Sequence, residues 1–273
     1  MRLLLALFLM VISTAVAFAQ SSLQNNLSTQ NVPKFSGNVS ATLNSNLYNP
    51  DTNSYEASSS ADVIVNYRLK GANLIRGFVG GNQSFTQGRE FTPADGFVSW
   101  VNNSFWSRSS KLTIGQQVRF SVPMSRESRE RDSKVTGVSL VPIFIASLTP
   151  RFMMIYLPQV NRNVHAFKQN RLQNNNIEYS VGNVLVGIYS FTDRIYWQGV
   201  ASHGQAWSYG GTQRDPSFGF SNEIGYTLPK NFTVALGWSN SGNIRRVEQG
   251  TDQSIELFDN RTSTVYSALY WVF

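Results

Sequence analysis

Lys111-Leu112-Thr113-Ile114-Gly115-Gln116-Gln117-Val118-Arg119-Phe120-Ser121-Val122 is the stretch that decides the fold class. In an extended chain successive side chains point to opposite faces. Leu112, Ile114, Val118 and Phe120 therefore share one face, and Lys111, Thr113, Gln117, Arg119 and Ser121 share the other. One face suits lipid and the other a wet interior. The same sorting sets Val63, Val65, Tyr67 and Leu69 against Asp62, Asn66, Arg68 and Lys70. It also sets Phe232, Val234, Leu236 and Trp238 against Thr233, Gly237 and Ser239.

Outward from this stretch the chain divides into segments of roughly ten residues that alternate apolar and polar, separated by turn formers, which is the pattern of a membrane-spanning antiparallel barrel. Five tight connections stand out: Lys70-Gly71-Ala72-Asn73, Ser107-Arg108-Ser109-Ser110, Leu148-Thr149-Pro150, Val181-Gly182-Asn183 and Leu228-Pro229-Lys230-Asn231. Longer polar segments fall near Asn49–Ser58, Gln87–Asp95, Pro123–Lys134, Gln159–Arg171, Asp193–Asp215 and Ser241–Ser254. Five short turns and six long loops join twelve strands and leave both termini on the short-turn side. The predicted fold is all-β, a transmembrane antiparallel up-and-down barrel of about twelve strands, with short periplasmic turns and long extracellular loops. From Val135 to Leu148 both faces are apolar, and Phe152–Leu157 is Met-rich without alternation, so this hairpin reads as buried on both faces, against an inward loop or a partner.

The N-terminus carries Arg2, the apolar run Leu3–Ile12 and then Ala17-Phe18-Ala19, which reads as a secretory signal peptide over residues 1–19 with Gln20 as the first mature residue. Residues 20–34 read as a polar lead-in, and 35–273 as the barrel domain. No other apolar run is long enough for a spanning helix. Cysteine is absent, which excludes disulfides, thiolate nucleophiles and Cys-held metals. Aromatic residues make up 13% of the chain, a mixture that favours strands. The net charge of +7 is mildly basic and does not by itself choose among an anionic solute, lipid phosphates and nucleic acid.

The chain ends Tyr266-Ser267-Ala268-Leu269-Tyr270-Trp271-Val272-Phe273. This ending resembles the assembly signal of Gram-negative outer-membrane β-barrel proteins: a terminal Phe273 preceded at alternate positions by Trp271, Leu269 and Val265. Ala268 stands where that family often has glycine. Trp271 and Tyr270 both suit a membrane-interface belt. The resemblance implies an outer-membrane location, contact with lipid and lipopolysaccharide, and recognition of Leu269, Trp271 and Phe273 by the barrel-assembly machinery. Similar twelve-stranded barrels include acidic-sugar and nucleoside channels, an outer-membrane phospholipase and autotransporter pores.

Catalysis finds little support. The resembled phospholipase pairs its catalytic His with a Ser two positions along the strand, but the residues two away from His165 are Asn163 and Phe167, and those two away from His203 are Ala201 and Gln205. Ser202 and His203 read as part of a Gly/Ser-rich surface loop, and Asp193, Asp215 and Asp252 as ordinary loop acids. No phosphate loop or metal-ligand spacing is present, so no cofactor, metal or nucleic acid is expected. The most charged segment, Pro123–Lys134, reads as a solvated loop tip; the alternative is that Arg126, Arg129 and Arg131 meet lipopolysaccharide phosphates or narrow a pore, and Arg245-Arg246 offers the same choice. The expectation is a passive channel for small hydrophilic solutes with a weak anion preference, lined by Arg68, Arg76, Lys111, Arg119, Glu178 and Glu223. The alternatives are a structural or adhesive barrel with a filled lumen, then a barrel hydrolase, then a secreted β-sandwich. The solute and the oligomeric state stay open.

Overall fold

A computed structural model of the chain describes residues 33–48, 54–86, 90–109, 111–244, 258 and 263–273. The predicted signal peptide, the lead-in up to Val32, Arg245-Arg246 and Asp252 lie outside the described residues.

Thirteen strands follow one another: β1 (Phe35–Asn46), β2 (Ala57–Arg68), β3 (Asn73–Ser84), β4 (Phe91–Pro93), β5 (Gly96–Ser109), β6 (Leu112–Val122), β7 (Lys134–Thr149), β8 (Phe152–His165), β9 (Ile177–Ser190), β10 (Ile195–Ser208), β11 (Ser217–Thr227), β12 (Phe232–Asn243) and β13 (Thr264–Val272). Twelve form a wall of sequential antiparallel pairs, and the three-residue β4 only extends the upper part of β3. The ring is closed by the pairing of β1 with β13, where Gly37 and Phe273 exchange backbone hydrogen bonds of 2.9 and 3.1 Å. Gly37 is required there, because a β-carbon would run into the Phe273 ring and the Ile64 carbonyl.

The outer wall is the apolar side. Val65, Ile75, Val79, Val98, Phe120, Leu140, Leu185, Val234, Leu236 and Leu269 are all exposed on it. At the short-turn end aromatic rings pack into a girdle: Phe35 against Tyr67 at 5.0 Å, Phe232 against Trp271 at 5.8 Å, Trp271 against Phe273 at 5.2 Å, and Tyr189 against Phe191 at 5.0 Å. An apolar band bordered by aromatics is what a bilayer demands of a barrel, since the closed ladder leaves no backbone edge in hydrocarbon.

The β7–β8 hairpin is buried on its inner face, and among the described residues what covers it there is side chains of other strands and not an inward loop. Val141, Ile143, Met153, Ile155 and Leu157 join Val184, Val186, Ile188, Val200, Leu74 and Val101 in one aliphatic cluster inside the barrel. Halfway along this hairpin the pairing lapses between Leu140↔Val160 and Phe144↔Tyr156, where Pro142 stands opposite Pro158 and neither can donate a hydrogen bond.

Four of the five tight turns fall where the sequence puts them. Gly71 at φ +70° makes the β2–β3 turn, and Lys230 and Asn231 at φ +64° and +62° make the β11–β12 turn. The exception is Val181-Gly182-Asn183, which lies in the middle of β9. Gly182 is there because the Gln159 side chain packs over it, 2.7 Å from where a β-carbon would stand. Asn183 accepts a 2.6 Å hydrogen bond from the Tyr156 hydroxyl. The real β9–β10 turn is Phe191–Arg194, and the segments near Gln159–Arg171 and Asp193–Asp215 are largely strand, with loops only at 166–176 and 209–216.

Candidate functional site: the charged walls of the lumen

The side chains that point away from lipid gather in three groups. The first spans β2 to β6, where the ladder Asn66↔Arg76↔Ser99↔Arg119 carries polar side chains around the inner wall. Arg76 is 4% exposed, and its Nε donates to Asn66 Oδ1 at 2.7 Å. The Arg119 guanidinium lies 4.3 Å above the Phe97 ring, and its Nη2 approaches Gln117 Oε1 at 3.4 Å. Gln117 in turn donates to Ser99 at 2.8 Å. A guanidinium taken out of water needs such acceptors and ring faces to offset its lost hydration.

The second group is built around Glu223 of β11, 2% exposed. Its Oε1 accepts from the Tyr196 hydroxyl and its Oε2 from the Tyr270 hydroxyl, both at 2.8 Å, and Tyr266 donates to it as well. Two glycines make this possible. A β-carbon on Gly225 would strike the Tyr196 ring, and one on Gly237 would strike Tyr266. The buried Gln198 sits across the ladder from Glu223, its Oε1 without a hydrogen-bond partner. β5, which separates the two arginine-bearing strands, lies six strands from β11 in either direction around the ring of twelve. The arginine and glutamate groups thus occupy opposite walls. Asp62, packed over Gly80 on the arginine side, tempers the contrast. The third group is the aliphatic cluster, whose members on β7 to β10 fill the arc between the two charged walls.

Of the six residues expected to line the lumen, the structure brings Arg76 and Arg119 together and sets Glu223 across from them. Arg68 is half-buried at the short-turn end of β2, and Lys111 is exposed in the β5–β6 turn. Glu178 is near the long-loop end of β9, 3.5 Å from Arg162. Leu269, Trp271 and Phe273 are 44%, 40% and 44% exposed on the outer wall. Tyr270, expected in the interface belt, is instead 8% exposed and holds Glu223 from inside, because its strand neighbour Trp271 already takes the outward direction. The three tyrosines escape sequence reasoning because they come from β10 and β13. Tyr266 and Tyr270, however, alternate with Ala268 on the inward register of the last strand, a signal that was available.

At the long-loop end the charged segment 123–134 folds on itself around a helical turn, Glu127–Arg131. Arg126 pairs with Glu130 at 3.0 Å and holds that carboxyl below its usual range, while Arg131 meets Glu127 and Asp132 at 3.2 and 3.0 Å. Asp95 fastens the segment from below, accepting from Met124 N, Ser125 N and Ser128 Oγ. Arg126 is 80% exposed, as befits a solvated loop tip. His203 is not in a loop; it stands exposed on the outer face of β10, while His165 lies edge-on to Tyr209 at 5.6 Å. Asp193 and Asp215 stand at opposite ends of β10 and cannot form a catalytic pair. Among the described residues there is no cluster of His, Asp and Glu that could hold a metal.

A closed antiparallel ring of twelve strands with an apolar outside and a partly charged inside defines the class: a transmembrane β-barrel with the fold of outer-membrane barrels. Among solved structures, a NanC porin matches with a TM-score of 0.56 at 8% identity over 86% of this chain and 98% of its own. An outer membrane channel from Pseudomonas putida matches with a TM-score of 0.59 at 10% identity, covering 89% and 97%. At such identities the likeness is one of fold. No family model matches the sequence, and no curated protein does.

Proposed function

We infer that the protein is an outer-membrane channel through which small hydrophilic solutes pass by diffusion, with a weak preference for anions. The observation that carries this reading is the placement of Arg76 and Arg119 on one wall of the lumen and Glu223 on the other. On the lipid face each arginine would be penalised by about 2–4 kcal/mol at mid-depth and the glutamate by less, so their hospitable direction is inward. Opposed charges across a narrow lumen orient dipolar solutes and favour the sign of the larger set. Arg76, Arg119 and the half-buried Arg68 against Glu223 and Asp62 give a small positive excess. The porin and channel that share the fold support the same kind of function.

Location follows the same reading. The leader over residues 1–19 directs export, Leu269, Trp271 and Phe273 are read by the assembly machinery, and the exposed Arg126 and Arg129 meet lipopolysaccharide phosphates. The role calls for no chemistry of the protein's own, and among the described residues neither histidine is hydrogen-bonded to a serine side chain.

The aliphatic cluster favours a second reading, a structural barrel with a filled lumen, because Val101, Ile143, Ile155 and Val186 on its inner wall are at most 1% exposed. Planar-bilayer recording on the purified, refolded and heat-modifiable protein separates the two. Discrete openings establish the channel; silence from folded protein establishes the filled barrel.

A further inference from the structure

The outer wall is not uniform around the ring. On β12, β13, β1 and β2 its exposed positions include Val234, Leu236, Leu269, Trp271, Leu43 and Val65. Across β6 to β10 one row, held in register from strand to strand, instead reads Gln116, Pro142, Pro158, Asn183 and His203. Pro142, Pro158 and Asn183 lie near the midpoints of their strands, at the depth of hydrocarbon. On β11 Asn222 continues the polar surface beside Gly199.

These side chains are half satisfied. Asn183 Oδ1 accepts the Tyr156 hydroxyl at 2.6 Å, and Asn222 Oδ1 accepts the Trp197 indole N–H at 3.2 Å. The Nδ2 donors of both amides have no partner among the described residues, nor does the exposed His203 ring. Lipid tails offer no hydrogen-bond partners, and headgroups do not reach this depth. The strand pairing also lapses in the same row, at Pro142 and Pro158.

We propose that the outer face of β8, β9 and β10 is covered by a second copy of this chain. Asn183 and His203 are directly opposed in the ladder, so one face presents an amide donor beside an imidazole acceptor. A two-fold rotation sets the amide of each copy against the imidazole of the other, which makes the face complementary to itself. The exposed Ala201 keeps the surface low beside His203, while the paired Gly187 and Gly199 let the Trp197 ring lie flat over the wall. This contact does not depend on whether the lumen conducts.

The chain contains no cysteine, so single substitutions give clean cross-links. Ala201→Cys, with Leu185→Cys directly across the ladder as a second position, is compared with Val65→Cys on β2, six strands from β9. Outer membranes carrying each variant are treated with a short bis-maleimide, and folding is checked by heat-modifiable mobility. Cross-linking to twice the chain mass at 201 and 185 but not at 65 is the expected result. A monomer at both test positions, a product of another mass, or equal cross-linking at 65 overturns the proposal. So does persistence of the dimer on native gels when Asn183 and His203 are both replaced by leucine in a folded barrel.

Discussion

Glu223 shows how one buried charge constrains its surroundings. A carboxylate removed from water is tolerated only when its lone pairs are met, and here phenols from β10 and β13 meet them. Hydrogen bonds to a charged group contribute about 1.5–3 kcal/mol each. Tyr270→Phe keeps the ring and removes one donor, so the purified barrel is expected to lose stability of that order in urea unfolding, while the same substitution at the exposed Tyr226 should leave the midpoint in place. An unchanged midpoint for Tyr270→Phe would mean that the carboxylate is satisfied without it. The facing of Glu223 was legible in the sequence because alternation is local. Its partners were not, because they lie 27 and 47 residues away along the chain.

The last strand joins sequence and assembly at the level of the element. β13 presents Val265, Leu269, Trp271 and Phe273 to the outside, and it presents Tyr266, Ala268 and Tyr270 to the inside. Phe273 also supplies both backbone hydrogen bonds that meet Gly37. Deleting Phe273 should therefore reduce the heat-modifiable form in membranes far more than deleting the exposed loop residue Leu172; equal yields would remove the assembly role from Phe273. Facing was readable where alternation is clean, as on β2, β6 and β12, because the period of two survives errors in boundaries, whereas β10 read as loop and β9 as two strands. Boundaries were less so. Gly182-Asn183 has the composition of a turn, yet the glycine answers the bulk of Gln159 and the asparagine answers Tyr156, both on β8, so the residues report packing between strands and not a change of direction.

Taken as a whole, the molecule sets its buried charges on two opposite sectors of one ring, and on the sector between them backs a polar outer surface with aliphatic bulk inside. If Arg76 and Arg119 line the conducting path, replacing both with glutamate should move the reversal potential in a salt gradient toward cations. An open channel whose potential does not move would place the path elsewhere in the lumen. The opposition of the two walls could not be read from the sequence, since it depends on how many strands separate β5 from β11 and on closure of the ring. The aliphatic fill was half visible in the unbroken apolarity of Val135–Leu148, although its destination was not.

Closure of β1 on β13 also governs how long the fold persists. The residues it joins, Gly37 and Phe273, are separated by nearly the whole sequence, so this pairing carries the largest loop-closure cost in the wall. Once it has formed there is no terminal strand to peel away, and disruption has to begin by tearing a seam in the middle of the wall. The β7–β8 seam, where two prolines leave the ladder short of donors, is one place where such a tear can start. Survival of this barrel is therefore set by a rate of rupture more than by an equilibrium, and amide exchange in the folded state should be fastest beside that seam.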